Sequence, residues 1–452
     1  MSEDEDENHP LEAVDTSEDE EENHPLNGHC YKPHFAAYIP GCSRHGATDF
    51  SRIEVAITVK ATELHDPFRD LPPLDERPAT DNDARVEADT SKGIETLVQM
   101  TTCVAQQMGQ QLRHWVFSVI ICGDYARLVR WDRSGAVFTS RFDYKTSDYK
   151  TSDHLEKFFT RYGGLDKGPR GVDTKVAILE DNDPRVKIAK EGIGFKPQHD
   201  PQPLFYEFRL DLDLTVIGYS PKAPTASLVG RATRPFIVWD PVTQKRRFLK
   251  DTWRIDLPGM VVEGETYELL ESKEVPNVAS VIWHGDVDGR QTLSSKLCIN
   301  PSDTYAVRPL TPHKHYRLVL DKVGWPCTEY NNQYHFFTVV RQVMKGEPSL
   351  SPTPDSTSTY ANVVIPAHWL AYHLAEILHG DIGVWSIMID EDGNGMLMDW
   401  DFSKPAGTQG GQTVNLLNFS SKPTDWIALV GHLGIYFRCS FARCRRWSFL
   451  PR

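Results

Sequence analysis

Between residues 94 and 112, Ile94, Leu97, Val98, Thr101, Ala105, Met108 and Leu112 recur at three- and four-residue spacing, the period of a helix with one buried face. Three runs rich in β-branched and aromatic residues follow, Trp115–Cys122, Tyr125–Trp131 and Ala136–Phe142. Gly123-Asp124 and Arg133-Ser134-Gly135 separate them, so the pattern predicts a meander of strands. Another strand is predicted at Ile53–Lys60, ahead of a Pro/Asp-rich stretch, Asp66–Asp83. Helix and meander together make a small α+β domain.

From about residue 211 the pattern changes. Strands are predicted at Leu212–Tyr219, Leu228–Asp240 and Lys245–Lys250, a helix at Glu263–Ser272, and strands at Ala279–Trp283 and His315–Lys322. Glu347–Thr359 is a polar Pro/Ser loop. Ala367–Leu378 is helical, with Leu370, Leu374, Ile377 and Leu378 on one face. Ser386–Ile389 and Gly395–Trp400 then form a hairpin around the turn sequence EDGNG.

Charge alters this picture at one end only. The chain has 452 residues and a net charge of −14, but residues 1–26 hold 12 Asp/Glu and no Lys/Arg. The rest therefore carries −14 − (−12) = −2. A nearly neutral folded part shows no basic field for nucleic acid, so no nucleic-acid partner is expected. The head repeats SEDEDENHPL as SEDEEENHPL at a period of 15, too charged to bury a core. It is expected to be a disordered acidic tail over residues 1–29; the sharper alternative is an interaction tail or a phosphorylation patch around Ser2, Thr16 and Ser17. The start, MSEDEDENHP, is no secretory signal, and no apolar run approaches the ~20 residues of a membrane span. The eight cysteines form no CxxC pair, and His432, Cys439 and Cys444 are not at zinc-finger spacing. The expectation is a reduced intracellular protein of cytoplasm or nucleus, with no membrane partner.

The chemistry concentrates in HGDIGVWSIMIDEDGNGMLMDWD, residues 379–401. Asp381 follows a helix on a loop, and Asp399 ends a hairpin 18 residues later. Phosphoryl transfer needs two carboxylates employed differently: one orients the attacking hydroxyl and accepts its proton, the other holds Mg²⁺ against phosphate oxygens. Two surface turn aspartates would be the plain alternative. Lys250 lies at a strand end, and Glu263 and Glu265 start a helix 13 and 15 residues on. A strand lysine paired with a helix glutamate is how kinases hold a lysine on the α/β-phosphates. A second HGD, at Asp286, follows a strand and has Thr304 where the second aspartate would stand, so it is set aside. Asp49 with Thr58-Val59-Lys60 faintly resembles the metal site of restriction-endonuclease-like folds, with a threonine in the carboxylate position.

These pieces occur in kinase order, and the chain resembles the fungal-type protein kinase family. The likeness is carried by QLRHWVFSVIICGDYARLVRWDRSGAVFT, LVGRATRPF, FLKDTWR, VPNVASVIWHGDV, HYRLVLDKVG, LHGDIGVWSI and GMLMDWDFSK, across roughly residues 95–403. The resemblance implies ATP, Mg²⁺ and transfer to a Ser/Thr hydroxyl of an unknown protein substrate. It implies that Lys250 holds the α/β-phosphates, that Glu263 (or Glu265) orients it, and that Asp381 is the catalytic aspartate. Asp399 becomes the Mg²⁺ ligand, and Asp321, Lys322 and Val323 the hinge that meets adenine. Gly230 stands in the glycine-rich loop, and Ser386 where a catalytic-loop asparagine would bind a second Mg²⁺.

Against the family pattern, Gly380 replaces the arginine of HRD, Trp385 replaces a glycine, and Gly230 is the sole glycine of its loop. Only 51 residues follow Asp401. The expected architecture is α+β: a tail over 1–29, an extension over 30–210, a kinase-like domain with a shortened C-lobe over 211–403, and a basic, aromatic tail over 404–452. The expected function is a protein serine/threonine kinase. The alternative is a weak or inactive pseudokinase or scaffold that binds nucleotide or partners.

Overall fold

The computed structural model describes residues 11–16, 32–40, 48–70, 90–145, 153–196, 203–220, 227–297, 310–344, 367–406 and 436–439. The architecture is α+β, two large sheets followed by smaller hairpins and helices.

The first sheet runs in the order β1 (Glu12–Asp15), β2 (Phe35–Tyr38), β3 (Val55–Lys60), β4 (Trp115–Cys122), β5 (Tyr125–Asp132) and β6 (Gly135–Thr139), with β7 (Phe142–Asp143) also on β5. β3 and β4 are parallel, which requires a crossover, and α1 (Ser91–Gln110) supplies it. Thr90 caps that helix by accepting the Gly93 N–H at 3.0 Å. Leu97, Met100, Val104 and Met108 on its inner face meet Val116, Ile120, Val129 and Trp131 of the sheet. On the opposite face, α2 (His154–Gly163) sets Phe158 and Tyr162 against Phe117.

Two expectations change here. The strand predicted over Ala136–Phe142 breaks after Thr139, whose carbonyl accepts Arg127 Nη1 at 3.0 Å and whose hydroxyl accepts the Leu128 N–H at 3.1 Å. Side-chain bonds there replace the ladder. Within the acidic head, Glu12–Asp15 is an edge strand and not part of a structureless tail, because the free edge of β2 pairs its backbone and Leu11 and Val14 pack inward. Thr16 is buried, its hydroxyl donating to Pro33 O at 2.5 Å. The remainder of the head with Ser2 and Ser17, the Pro/Ser loop over 347–359, and residues 407–435 and 440–452 with His432 and Cys444 lie outside the described residues.

The second sheet is antiparallel. It comprises β8 (Val176–Leu179), β9 (Phe205–Arg209), β10 (Thr215–Tyr219), β11 (Arg234–Asp240), β12 (Lys245–Ile255), β13 (Val281–Gln291) and β14 (His313–Leu320), in the order β13-β14-β12-β11-β10-β9-β8. It therefore starts at Val176, upstream of the boundary expected at 210/211. Leu212–Leu214 stays outside β10 because Leu210 and Asp211 close a turn onto Leu214 O. Leu228–Thr233 stays outside β11 because Leu228 buries itself in the core of the first sheet. α3 (Pro184–Ile193), capped by Asp183, packs on β10 and β11; α4 (Glu263–Ser272) packs on β13; α5 (Leu293–Leu297) follows β13.

Below β14 come β15 (Trp325–Pro326), α6 (Gln333–Met344), α7 (Ala367–Ala375), β16 (Ile377–Leu378), β17 (Ile387–Ile389), β18 (Gly395–Leu397) and β19 (Lys404–Pro405). β15, β17 and β18 form one small sheet, and β16 pairs with β19. α7 stops short of the predicted Leu378 because Glu376 takes a positive φ of 55°. Tyr267, Leu270, Leu318, Leu320, Val339, Val343, Ala371, Leu397 and Trp400 share one core. That core joins α4 and β14 to the hairpin that carries Asp399. Among the described residues no helix is long and apolar enough to cross a membrane.

Candidate active site

β12 is a buried central strand, and its Lys250 side chain points out of the sheet toward α4. The ammonium donates to Glu263 Oε2 at 2.8 Å, to Asp399 Oδ1, and to Asp401 Oδ2 at 3.4 Å. Lys250 and Glu263 are buried, whereas the Asp399 side chain remains 38% exposed. Burial opposes the lysine's charge, but Glu263 and Asp399 outweigh it and raise its pKa. Lys250, more strongly than burial opposes it, holds the Asp399 carboxyl below the usual carboxylate range. The ion pair is therefore charged across the neutral range.

Asp399 is set by the backbone. It takes a left-handed conformation, φ 69° and ψ 57°, as the hairpin leaves β18, and its N–H donates to the Tyr267 hydroxyl at 3.1 Å. Carboxylate oxygens of Glu263, Asp399 and Asp401 lie within 4.8 Å of one another. Asp401 also pairs with Arg231, whose guanidinium lies over the Phe402 ring at 4.3 Å. Glu265, the other helix glutamate, is not in this cluster.

Asp381 is exposed on the loop after β16. Its N–H donates to His379 Nδ1 at 3.3 Å, and His379 Nε2 donates to Met398 O at 2.9 Å. Burial lowers the His379 pKa and keeps the ring neutral, which this donor–acceptor pattern needs. One imidazole thus ties the Asp381 loop to the residue before Asp399. Gly380 has φ 85°, and a Cβ there would stand 2.4 Å from Phe402 O, so the backbone demands glycine at this position. Ser386 is buried; its hydroxyl accepts the Gly383 N–H at 2.9 Å and faces Asp381 O and Gly383 O, both at 3.1 Å. Its oxygen serves its own loop, and Trp385 beside it is exposed.

The segment expected to be the hinge links β14 to β15. The Asp321 carboxylate accepts the Ser280 N–H at 2.7 Å, Lys322 faces Asp390 at 3.6 Å, and Val323 is buried. Gly324 permits a close pass, since a Cβ there would meet Met388 Cβ at 2.8 Å. Gly230 donates its N–H to Arg133 O at 2.8 Å, and Arg133 Nη1 donates to Ser227 O at 2.7 Å, so the first sheet holds the glycine segment. Asp286 lies apart on β13, forked by Arg254 with both bonds at 2.7 Å. Asp49 accepts from Ser51 and faces Arg52 at 3.6 Å; it joins no metal-ligating cluster among the described residues.

Asp401, Arg231, Tyr267 and His379 were not singled out from the sequence. Asp401 had a signal, the second carboxylate of DWD. Arg231 and Tyr267 had none, because only folding brings Arg231 to the Asp401 carboxylate, 401 − 231 = 170 positions away, and the Tyr267 hydroxyl to the Asp399 backbone, 399 − 267 = 132 positions away.

Residues 82–299 match the profile of the family described as Fungal protein kinase. This segment, just under half of the chain, is similar to the fungal protein kinase family. The matched segment includes Lys250 and Glu263. Asp381 and Asp399 lie beyond the matched residues. No curated protein matches the chain. Two solved structures share a partial likeness. WbdD is 11% identical with a TM-score of 0.20, covering 45% of this chain and 34% of that one. WbdD crystallised with the kinase inhibitor LY294002 is 10% identical with a TM-score of 0.24, covering 88% and 69%. The chain thus spans about a third of the first of these structures.

Proposed function

We propose that this fungal protein kinase relative binds Mg²⁺–ATP and transfers the γ-phosphoryl group to a serine or threonine hydroxyl of a protein. The observation that carries the reading is the buried Lys250–Glu263 pair with Asp399 on the same ammonium. Lys250 is suited to meet the α/β-phosphates, with Glu263 holding it. Asp321, Lys322 and Val323 supply the backbone edge for adenine, and Gly230 covers the phosphates with fewer close amides than a glycine-rich loop has. In transfer, the bond from the γ-phosphorus to the departing ADP oxygen breaks and one to the hydroxyl oxygen forms. The hydroxyl proton passes to the Asp381 carboxylate.

Asp399 and Asp401 fit Mg²⁺: both are hard oxygen donors, and their oxygens fall within 4.8 Å of each other and of Glu263. Bound there, the ion would neutralise phosphate charge. A weak or nucleotide-binding-only chain is the second reading, favoured by Ser386, whose buried hydroxyl is already engaged in its loop. A thermal-shift titration with Mg²⁺–ATP and radiolabel transfer to Ser/Thr peptides test both. Saturation at 100 times Kd should stabilise the chain by about 2.7 kcal/mol. Asp381→Asn should keep that shift while cutting transfer by about 10²–10⁴-fold. No shift with Mg²⁺–ATP refutes both readings; a shift without transfer leaves the second.

A further inference from the structure

A second cluster of ligand-type side chains lies away from Lys250, where the first sheet meets the second. His114, just before β4, Asp173, just before β8, and His315 on β14 are all buried, and one ligand atom from each lies within 4.8 Å of the others. His114 Nε2 stands 3.8 Å from Asp173 Oδ2, and His315 Nδ1 stands 3.9 Å from the same oxygen.

The hydrogen-bonding leaves these atoms unexplained. His315 Nε2 lies 2.8 Å from Asp251 Oδ1, which fixes the ring proton on that side. Its Nδ1 then points a lone pair at a carboxylate oxygen, with no hydrogen-bond partner. Both ring nitrogens of His114 are also buried without a partner. Unsatisfied buried polar atoms are costly, and two of them, His114 Nε2 and His315 Nδ1, facing one carboxylate oxygen call for a cation between them. A ligating histidine usually donates its other ring N–H to a carboxylate, the relation His315 has with Asp251.

We propose that His114, Asp173 and His315 form a divalent-cation site of the zinc type that clamps the first sheet to β14. Imidazole and carboxylate donors suit Zn²⁺, with a water in the fourth position. Tetrahedral bonds of about 2.0–2.1 Å put ligand atoms about 3.4 Å apart, so the two histidine–Asp173 separations need to close by roughly 0.5 Å. Arg317 donates to Asp173 Oδ2 and, at 2.7 Å, to Asp251 Oδ1, so it acts as an outer partner that shares the carboxylate. Asp173, Asp251 and Arg317 sum to one negative charge, which a divalent ion inverts rather than multiplies. Arg290 adds a cation on the His114 side, lying over the Trp115 ring at 5.6 Å. The clamp would sit one residue from Lys250, through Asp251, and on the strand that leads to Asp321.

The test uses the untagged full chain, stripped with chelator and titrated with Co²⁺ and then Zn²⁺. One equivalent of Co²⁺ should give the intense visible absorption of four-coordinate cobalt with nitrogen ligands, and Zn²⁺ should displace it. His114→Gln should abolish that absorption with an unchanged far-ultraviolet circular dichroism spectrum, while Asp399→Asn should retain it, which separates this site from the acidic cluster. The spectrum of the unmodified chain decides even if His114→Gln fails to fold. A pale six-coordinate spectrum or no binding overturns the site. Retention of the absorption by folded His114→Gln overturns it equally.

Discussion

Replacing Lys250 with methionine removes one ammonium and leaves three carboxylates, Glu263, Asp399 and Asp401, within 4.8 Å. Of these, the Glu263 side chain is 3% exposed and the Asp399 side chain 38%. Removing one partner of a buried pair costs about 3–5 kcal/mol, since the other charge is left buried and unpaired. Asp399 is open to water, so most of the loss falls on Glu263 and the low end, about 3 kcal/mol, is expected at pH 8. The loss should depend on pH with a defined sign. In the variant, burial raises the Glu263 carboxyl without a lysine to oppose it. A carboxyl whose folded pKa lies above its unfolded value gains stability as pH falls through the folded pKa. Urea denaturation should therefore show a smaller deficit at pH 5.5 than at pH 8. Lys250→Met with Glu263→Gln should recover part of the deficit at pH 8, and Mg²⁺ should raise the Tm of Lys250→Met more than that of the unmodified chain. An equal deficit at both pH values together with no recovery in the double variant would refute a charged Lys250–Glu263 pair.

Two further outcomes follow from single side chains. Ser386→Ala removes the hydroxyl that accepts from Gly383 N–H in a partly exposed loop, where water can replace it, and should cost about 0.5–1.5 kcal/mol in chemical denaturation. Faster amide exchange at Gly383 should accompany it. Burial lowers the His313 pKa to about 4. A histidine held neutral in the fold loses stability as pH drops below its unfolded value of about 6.5, so between pH 7 and pH 5 the chain should lose about 2 kcal/mol more than His313→Gln does. Equal losses would show that His313 is not held neutral.

The linear order of chemistry was legible without a fold. The helical period over 94–112, the turn residues between the strands of the first sheet, and the sequence of lysine, glutamate, HGD and DWD are local patterns, and local patterns survive in one dimension. What they could not express was pairing between distant segments. Nothing in Glu12–Asp15 announced a strand, because its partner is an exposed edge some twenty residues away. The second sheet begins at Val176 since β8 finds its ladder on β9, across α3. Gly380 looked like the loss of an arginine; the close approach of Phe402 O makes glycine the residue that fits. Ser386 looked like a ligand, and its burial gives the hydroxyl to its own loop. Asp401, Arg231 and His379 became part of the site only when β18 was folded under β12. Residue type sets what a side chain can do, and it is written locally. Burial and the partner at hydrogen-bond distance decide what it does, and both depend on contacts made across the whole chain.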